Sequence, residues 1–214
     1  FLTAASALAR TYPGAGPHLI YLPERPFDLK KFPQQVKAMV AQHGRCIVAV
    51  SEGISDASGQ AIAASFTKEV DSHGNVQLSG SGALGDSLAN IIKAETGITR
   101  VRADTFGYLQ RSFPGVVAAN DAKVAFAVGR EAVKYATSGD VDGSVAIRRK
   151  KGKKYQVYFE RVELRSVAKE TRHMPDAFIA ANGCDVTKAF IDYAAPIVGP
   201  LPKIGRFKRV KVKK

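Results

Sequence analysis

Short, nearly continuous apolar runs alternate along this chain with stretches whose apolar residues recur at helical spacing. Leu19, Ile20, Tyr21 and Leu22 form the first run, ended by Pro23 and Glu24. Residues 33–42 follow a helical pattern, and His43 with Gly44 supplies a C-terminal stop. Residues 46–50 read as a buried strand that ends at Ser51, Glu52 and Gly53. Leu84, Leu88, Ile91 and Ile92 share one face of a helix predicted over 84–96 and stopped by Gly97. Residues 100–106 alternate as a short strand and break at Gly107. This β-α-β-α-β order predicts an α/β fold with a parallel sheet covered by helices. Ligands of such sheets lie beyond the carboxyl ends of the strands. Glu24, Glu52 and the loop at 108–111 would then share one rim.

Further along, Asn120 and Asp121 stand where a cap is expected for a helix running through Val124, Val128 and Val133 to Gly139. Residues 145–147 and 156–159 predict a hairpin around a basic tip. Residues 185–193 predict a last helix with Asp185 as its cap. No internal repeat is present.

Composition narrows the class. The chain has 214 residues and is 45% hydrophobic, enough for a core. No apolar run approaches the ~20 residues that span a bilayer, so no membrane partner is expected. Cys46 and Cys184 lie far apart, and Cys46 reads as a small core residue. Neither a disulfide framework nor a zinc spacing is present, and the expected setting is cytoplasmic.

The net charge is +13, and its distribution matters more than its size. Six cations lie between Arg148 and Lys154, and seven more between Lys203 and Lys214. Without those two runs the basic residues match the 19 acidic ones, so the body of the chain is neutral. A hairpin tip and a tail of solvated charge account for the excess, which argues against nucleic acid as a partner.

Two glycine and arginine patterns carry candidate chemistry. Gly80, Gly82 and Gly85 precede a helix, and Asp104 follows about 20 residues on, as in a dinucleotide fingerprint. The segment before them is short and polar, so a tight turn into a helix explains the glycines better. The four histidines, His18, His43, His73 and His173, have no metal-ligand spacing. Arg100, Arg102, Tyr108, Gln110 and Arg111 gather instead around one strand end. Arginine presents a planar fork of donors that matches phosphate oxygens, and its charge does not titrate near neutrality. A phosphate monoester fits such a cluster, although solvated arginines on an ordinary strand would look the same.

The order of several short motifs is more specific than any one of them. Leu22-Pro23-Glu24 is followed by residues 50–53, then by residues 106–111 and 128–133. Residues 71–78, Met174 and Pro175 before Phe178 and Ile179, and residues 191–199 add to the series. From Phe1 to about residue 202 the chain resembles the carboxyl-terminal half of phosphofructokinases. Within them it is most similar to the pyrophosphate-dependent branch, the diphosphate:fructose 6-phosphate 1-phosphotransferases. The resemblance implies the phosphofructokinase fold, a Rossmann-like three-layer parallel sheet. It implies a sugar-phosphate-binding domain over 1–111 and a crossover segment over 112–165 that belongs to the donor-binding domain. A return segment over 166–202 and a basic tail over 203–214 complete the division.

The implied reaction is phosphorylation of fructose 6-phosphate at C1 in glycolysis, with pyrophosphate as the expected donor and ATP as the alternative. Four residues carry over as substrate-binding. Glu24 matches a glutamate that bonds the fructose hydroxyls, Tyr108 and Arg111 match the pair on the 6-phosphate, and Arg102 matches an arginine that reaches the phosphate across a subunit interface. Ser112, Phe113, Pro114 and Gly115 depart from the small residues usual after Arg111. In the family the donor loops, the Mg2+ ligands and the catalytic aspartate base precede the position of Phe1. The resemblance therefore implies no catalytic residue and no metal ligand here, an isolated chain that is inactive, and a homodimer or homotetramer. A non-catalytic regulatory phosphofructokinase-like subunit and a basic nucleic-acid-binding protein are the alternative functions.

Overall fold

The computed structural model describes residues 1–66, 83–107, 109, 113–139, 142–152, 154–168, 171–205 and 207. The chain divides into two compact units, Phe1–Val116 with Lys169–Ala194, and Val117–Ala168 with Ala195–Lys214.

The first unit is organised around one short strand. β1 (Leu19–Tyr21) pairs in parallel with β2 (Val48–Val50), in the register Leu19 to Val48 and Tyr21 to Val50. On its other side the Ile20 N–H donates to the Cys184 carbonyl at 2.8 Å. Successive side chains of a strand point to opposite faces, and here both faces are buried. Leu19 and Tyr21 enter a core with Phe27, Phe32, Val36, Ile54, Leu84, Leu88 and Ile92. Ile20 and Leu22 enter another with Ala4, Ala7, Met174, Ile179 and Phe190.

Helices cover each face. α1 (Leu2–Ala5), continued by a 3-10 turn over Ser6–Ala9, contributes Ala4 and Ala7 to the second core. α2 (Lys31–His43) and α3 (Ala83–Thr96) supply the first. The Asp28 carboxylate accepts from the N–H groups of Lys30 and Lys31 at 2.8 and 3.1 Å, satisfying donors that a helix start leaves unpaired. Those backbone bonds, Lys31 first, hold the Asp28 carboxyl below the usual range. Gly44 closes α2 at φ +70°, with its N–H on the Val40 carbonyl, the left-handed stop that only glycine adopts without strain.

Several expectations need correction. Residues 100–106 form no ladder with any described strand, although their alternation persists: Val101 and Ala103 are half-buried, whereas Arg102 and Asp104 are exposed. The predicted buried strand over 46–50 shortens to three half-buried residues, and Cys46 packs at the margin of the core. Asp185 does not cap the last helix, which is α6 (Lys188–Val198). Its carboxylate instead accepts from Arg10 at 2.8 and 3.1 Å and from the Val186 N–H. An ion pair across the chain has won over a local cap.

In the second unit, α4 (Ala119–Thr137) begins one residue before the expected cap, with no side-chain cap. Asn120 donates instead to the Pro196 carbonyl at 2.7 Å. β3 (Ser144–Arg149) and β4 (Val157–Val162) form the expected hairpin, Ser144 opposite Val162 and Arg149 opposite Val157. At its tip Arg148 pairs with Glu160 at 2.7 Å and Arg149 lies over the Tyr155 ring. α5 (Leu164–Val167) follows β4. On α4 the apolar Phe126 and Val133 are 71% and 63% exposed. No helix among the described residues is long and apolar enough to cross a membrane.

The start of the sheet carries a pH-sensitive contact. The His18 N–H donates to the Ile47 carbonyl at 2.7 Å, and the Ile47 N–H donates back to His18 Nδ1 at 2.9 Å. The His43 ring lies 4.9 Å from the His18 ring. Burial, then the nearby His43 and Arg45 charges, lower the His18 pKa. The folded state therefore binds fewer protons here than the unfolded chain, so the contribution is present above about pH 6.5 and is lost as pH falls below it. Urea denaturation at pH 7.5 and 5.5 should show a smaller pH dependence for His18→Gln than for the unmodified chain. Equal dependence would show that His18 does not titrate on unfolding.

Candidate functional site

Parallel pairing puts the ends of β1 and β2 on the same edge of the sheet, and the loops that leave them lie side by side. A Cβ added to Gly53 would sit 3.7 Å from the Pro23 side chain. The β1 loop starts from the fully buried Leu22, turns through the Arg25 N–H on the Leu22 carbonyl, and leaves through the Phe27 N–H on the Ser55 carbonyl at 2.7 Å. Glu24 is therefore carried on a short loop anchored at both ends.

The Glu24 carboxylate has two unlike oxygens. Oε1 accepts from the Met174 N–H at 3.0 Å. Oε2 is buried and has no hydrogen-bond partner among the described residues. A buried carboxylate oxygen without a donor is costly, and a ligand hydroxyl is a chemically suitable donor for it. Arg25 frames the same loop. Its guanidinium donates to the Glu24 carbonyl at 2.9 Å and to the Asp176 carboxylate at 2.8 Å.

The other predicted site residues are either exposed or outside the described residues. Glu52 is exposed on the β2 loop. Arg102 is exposed and has no ion pair or hydrogen bond among the described residues. Tyr108 and Arg111 lie outside the described residues, as do Gln110, Gly80, Gly82 and His73, so their convergence with Glu24 rests on the sequence alone. Gly107, just before them, turns the chain at φ +52°. Gly85 has a packing role: a Cβ there would come within 3.1 Å of the Ala103 side chain, so its absence lets α3 approach that segment closely.

Sequence reasoning missed Met174 as a donor and Arg25 and Asp176 as a bridge. The bridge joins residues 151 positions apart, and no local periodicity reports such a contact. Neither thiol is poised as a nucleophile. Burial raises Cys46 to about 11 and, followed by the Asp185 charge, also raises Cys184. Tyr21, which donates to Gln35 at 2.7 Å, is likewise pushed well up by burial. A groove between α4 and the hairpin, lined by Val128, Tyr135, Ser144 and Arg161, offers no comparable cluster. Its guanidinium already donates to the Asp142 carbonyl at 2.6 Å.

Known proteins resemble this chain over most of its length. The Phosphofructokinase family model matches residues 1–136. A pyrophosphate--fructose 6-phosphate 1-phosphotransferase of Rhodospirillum rubrum is 54% identical over 201 residues, covering 93% of this chain and 49% of that protein. The protein of the same name from Xanthomonas campestris is 35% identical over 198 residues, covering 92% of this chain and 46% of its own length. The crystal structure of a pyrophosphate-dependent phosphofructokinase from Marinobacter aquaeolei superposes with a TM-score of 0.75 at 28% identity, covering 97% of this chain and 46% of that one. The chain thus spans about half the length of the curated relatives it matches. By the match of that family model and the 54% identity to the R. rubrum protein, it belongs to the phosphofructokinase family.

Proposed function

We propose that this chain supplies the fructose 6-phosphate site of a phosphotransferase that phosphorylates the sugar at C1, with pyrophosphate as donor. The observation that carries the reading is the Glu24 carboxylate at the sheet's carboxyl edge, fixed through one oxygen by Met174 and left with a buried second oxygen that no described residue bonds. The names of the relatives from R. rubrum and X. campestris support the substrate and the donor. Residues 1–111 form the sugar-phosphate domain, 112–165 cross to the donor domain, 166–202 return, and 203–214 are a basic tail. The setting is glycolysis in the cytoplasm, and the assembly is a homodimer or homotetramer.

Phosphoryl transfer depends on aligning two substrates and neutralising charge more than on covalent participation by the protein. Tyr108 and Arg111 hold the 6-phosphate, Arg102 reaches it from a neighbouring subunit, and Glu24 accepts from ring hydroxyls. Binding at the far end of the sugar holds C1 in place for attack, which lowers the barrier through orientation. Mg2+ is expected to accompany the donor. Among the described residues no group of three His, Cys, Asp or Glu side chains could hold a metal ion. These residues do not fit the cation.

Each charge-assisted contact contributes about 1.5–3 kcal/mol. Glu24→Gln and Arg111→Ala should therefore each weaken fructose 6-phosphate binding by roughly 10- to 150-fold in calorimetric titrations. Undiminished binding by both would refute the assignment. Arg102→Ala should reduce use of the sugar phosphate while shifting stability by less than about 0.5 kcal/mol, as expected for an exposed side chain. A large shift in its urea midpoint would mean a structural role.

The 214-residue chain by itself should transfer no phosphoryl group from either pyrophosphate or ATP, because the donor site is assigned elsewhere. Its exposed apolar side chains on α4 should bind a hydrophobic dye or drive self-association. A cooperatively melting monomer would argue against the two-domain crossing, and any turnover would overturn the functional assignment.

A further inference from the structure

We propose that Arg25 and Asp176 are positioning residues for the Glu24 carboxylate. The inference rests on the reading of Glu24 as the group that accepts from the sugar hydroxyls, and it assigns the holding of that group's backbone to a specific bridge.

Glu24 needs fixing in two ways. Its carboxylate must present Oε2 to the ligand, and its backbone must stay at one height above the sheet. The Met174 N–H meets the first need by occupying Oε1. Met174 is a firm anchor because its own side chain is buried in the core shared with Ile20, Leu22 and Phe190. Arg25 meets the second. One guanidinium nitrogen donates to the Glu24 carbonyl at 2.9 Å and another to Asp176 Oδ1 at 2.8 Å. Asp176 opens the 3-10 turn Asp176–Phe178, two residues beyond Met174. The bridge therefore ties the Glu24 backbone to the segment whose amide holds its carboxylate, and the two contacts close a ring around the loop.

A role in stability alone explains this poorly. The Arg25 and Asp176 side chains are 33% and 85% exposed, and such pairs contribute little to folding. The second bond, to the Glu24 carbonyl, directs the arginine toward this loop in particular. It also explains the residue type. A guanidinium holds two acceptors in one plane through separate nitrogens, whereas a lysine ammonium is a point donor without that fixed fork.

The test uses the intact protein, titrated calorimetrically with fructose 6-phosphate and with inorganic phosphate, beside urea denaturation of each variant. Arg25→Met and Asp176→Ala should each weaken fructose 6-phosphate binding about three- to tenfold. Inorganic phosphate binding and the urea midpoint should stay unchanged. Arg25→Lys should behave like Arg25→Met. Combined with Glu24→Gln, neither substitution should weaken binding further, because both act through that carboxylate. Full affinity in Arg25→Met, additive losses with Glu24→Gln, or equal weakening of inorganic phosphate would each overturn the inference and leave the site assignment standing. A lowered urea midpoint accompanying the loss would do the same. If Glu24→Gln itself binds fructose 6-phosphate normally, the reading of the site fails and the inference falls with it.

Discussion

The first unit depends on a single strand of three residues that is enclosed on every side. Leu19, Ile20 and Tyr21 meet β2 along one edge and the Cys184 carbonyl along the other. Their side chains, with Leu22, divide between two cores. A strand in this position cannot slip by one residue without sending Ile20 into the wrong core and unpairing its amide. Sequence segments far apart in the chain, including α1, α2, α3 and the 174–194 region, all take their place from it.

The same constraint delivers the site. Because β1 and β2 run parallel, their loops emerge at one edge, and Glu24 leaves the sheet two residues after the buried Leu22, past the exposed Pro23. Met174 is pinned by the core on the Ile20 face, so its amide is available at a fixed point above that edge. The position of Glu24 thus follows from packing beneath it, while an amide holds one oxygen of its carboxylate and an arginine holds its carbonyl. Precision at such a site needs support from outside the contacting residue.

The second unit is built differently. α4 and the β3–β4 hairpin leave large apolar side chains such as Phe126 and Val133 in solvent, while the basic tip of the hairpin is partly engaged by Glu160 and Tyr155. Exposed apolar faces usually mark surfaces that meet other protein. The chain spans about half the length of the curated relatives it matches.

By itself the sequence determined the elements with a strong local period: β1, α2 with its Gly44 stop, α3 and the hairpin. It also placed Glu24 just beyond a strand, and the order of motifs identified the family. Tyr108 and Arg111 remain a reading of sequence alone. What only the tertiary structure decided were contacts between distant residues. Asp185 pairs with Arg10 instead of capping a helix, and Asn120 bonds the Pro196 carbonyl instead of opening α4. Residues 100–106 keep a strand's alternation without a ladder to any described strand, because alternation records which side faces a core, whereas a ladder needs a neighbour. The Glu24 carboxylate met the Met174 amide, and the Glu24 carbonyl met the Arg25–Asp176 bridge, in the same way. Periodicity reports the environment of each residue one at a time, and a hydrogen bond across 150 residues exists only once the fold has closed around it.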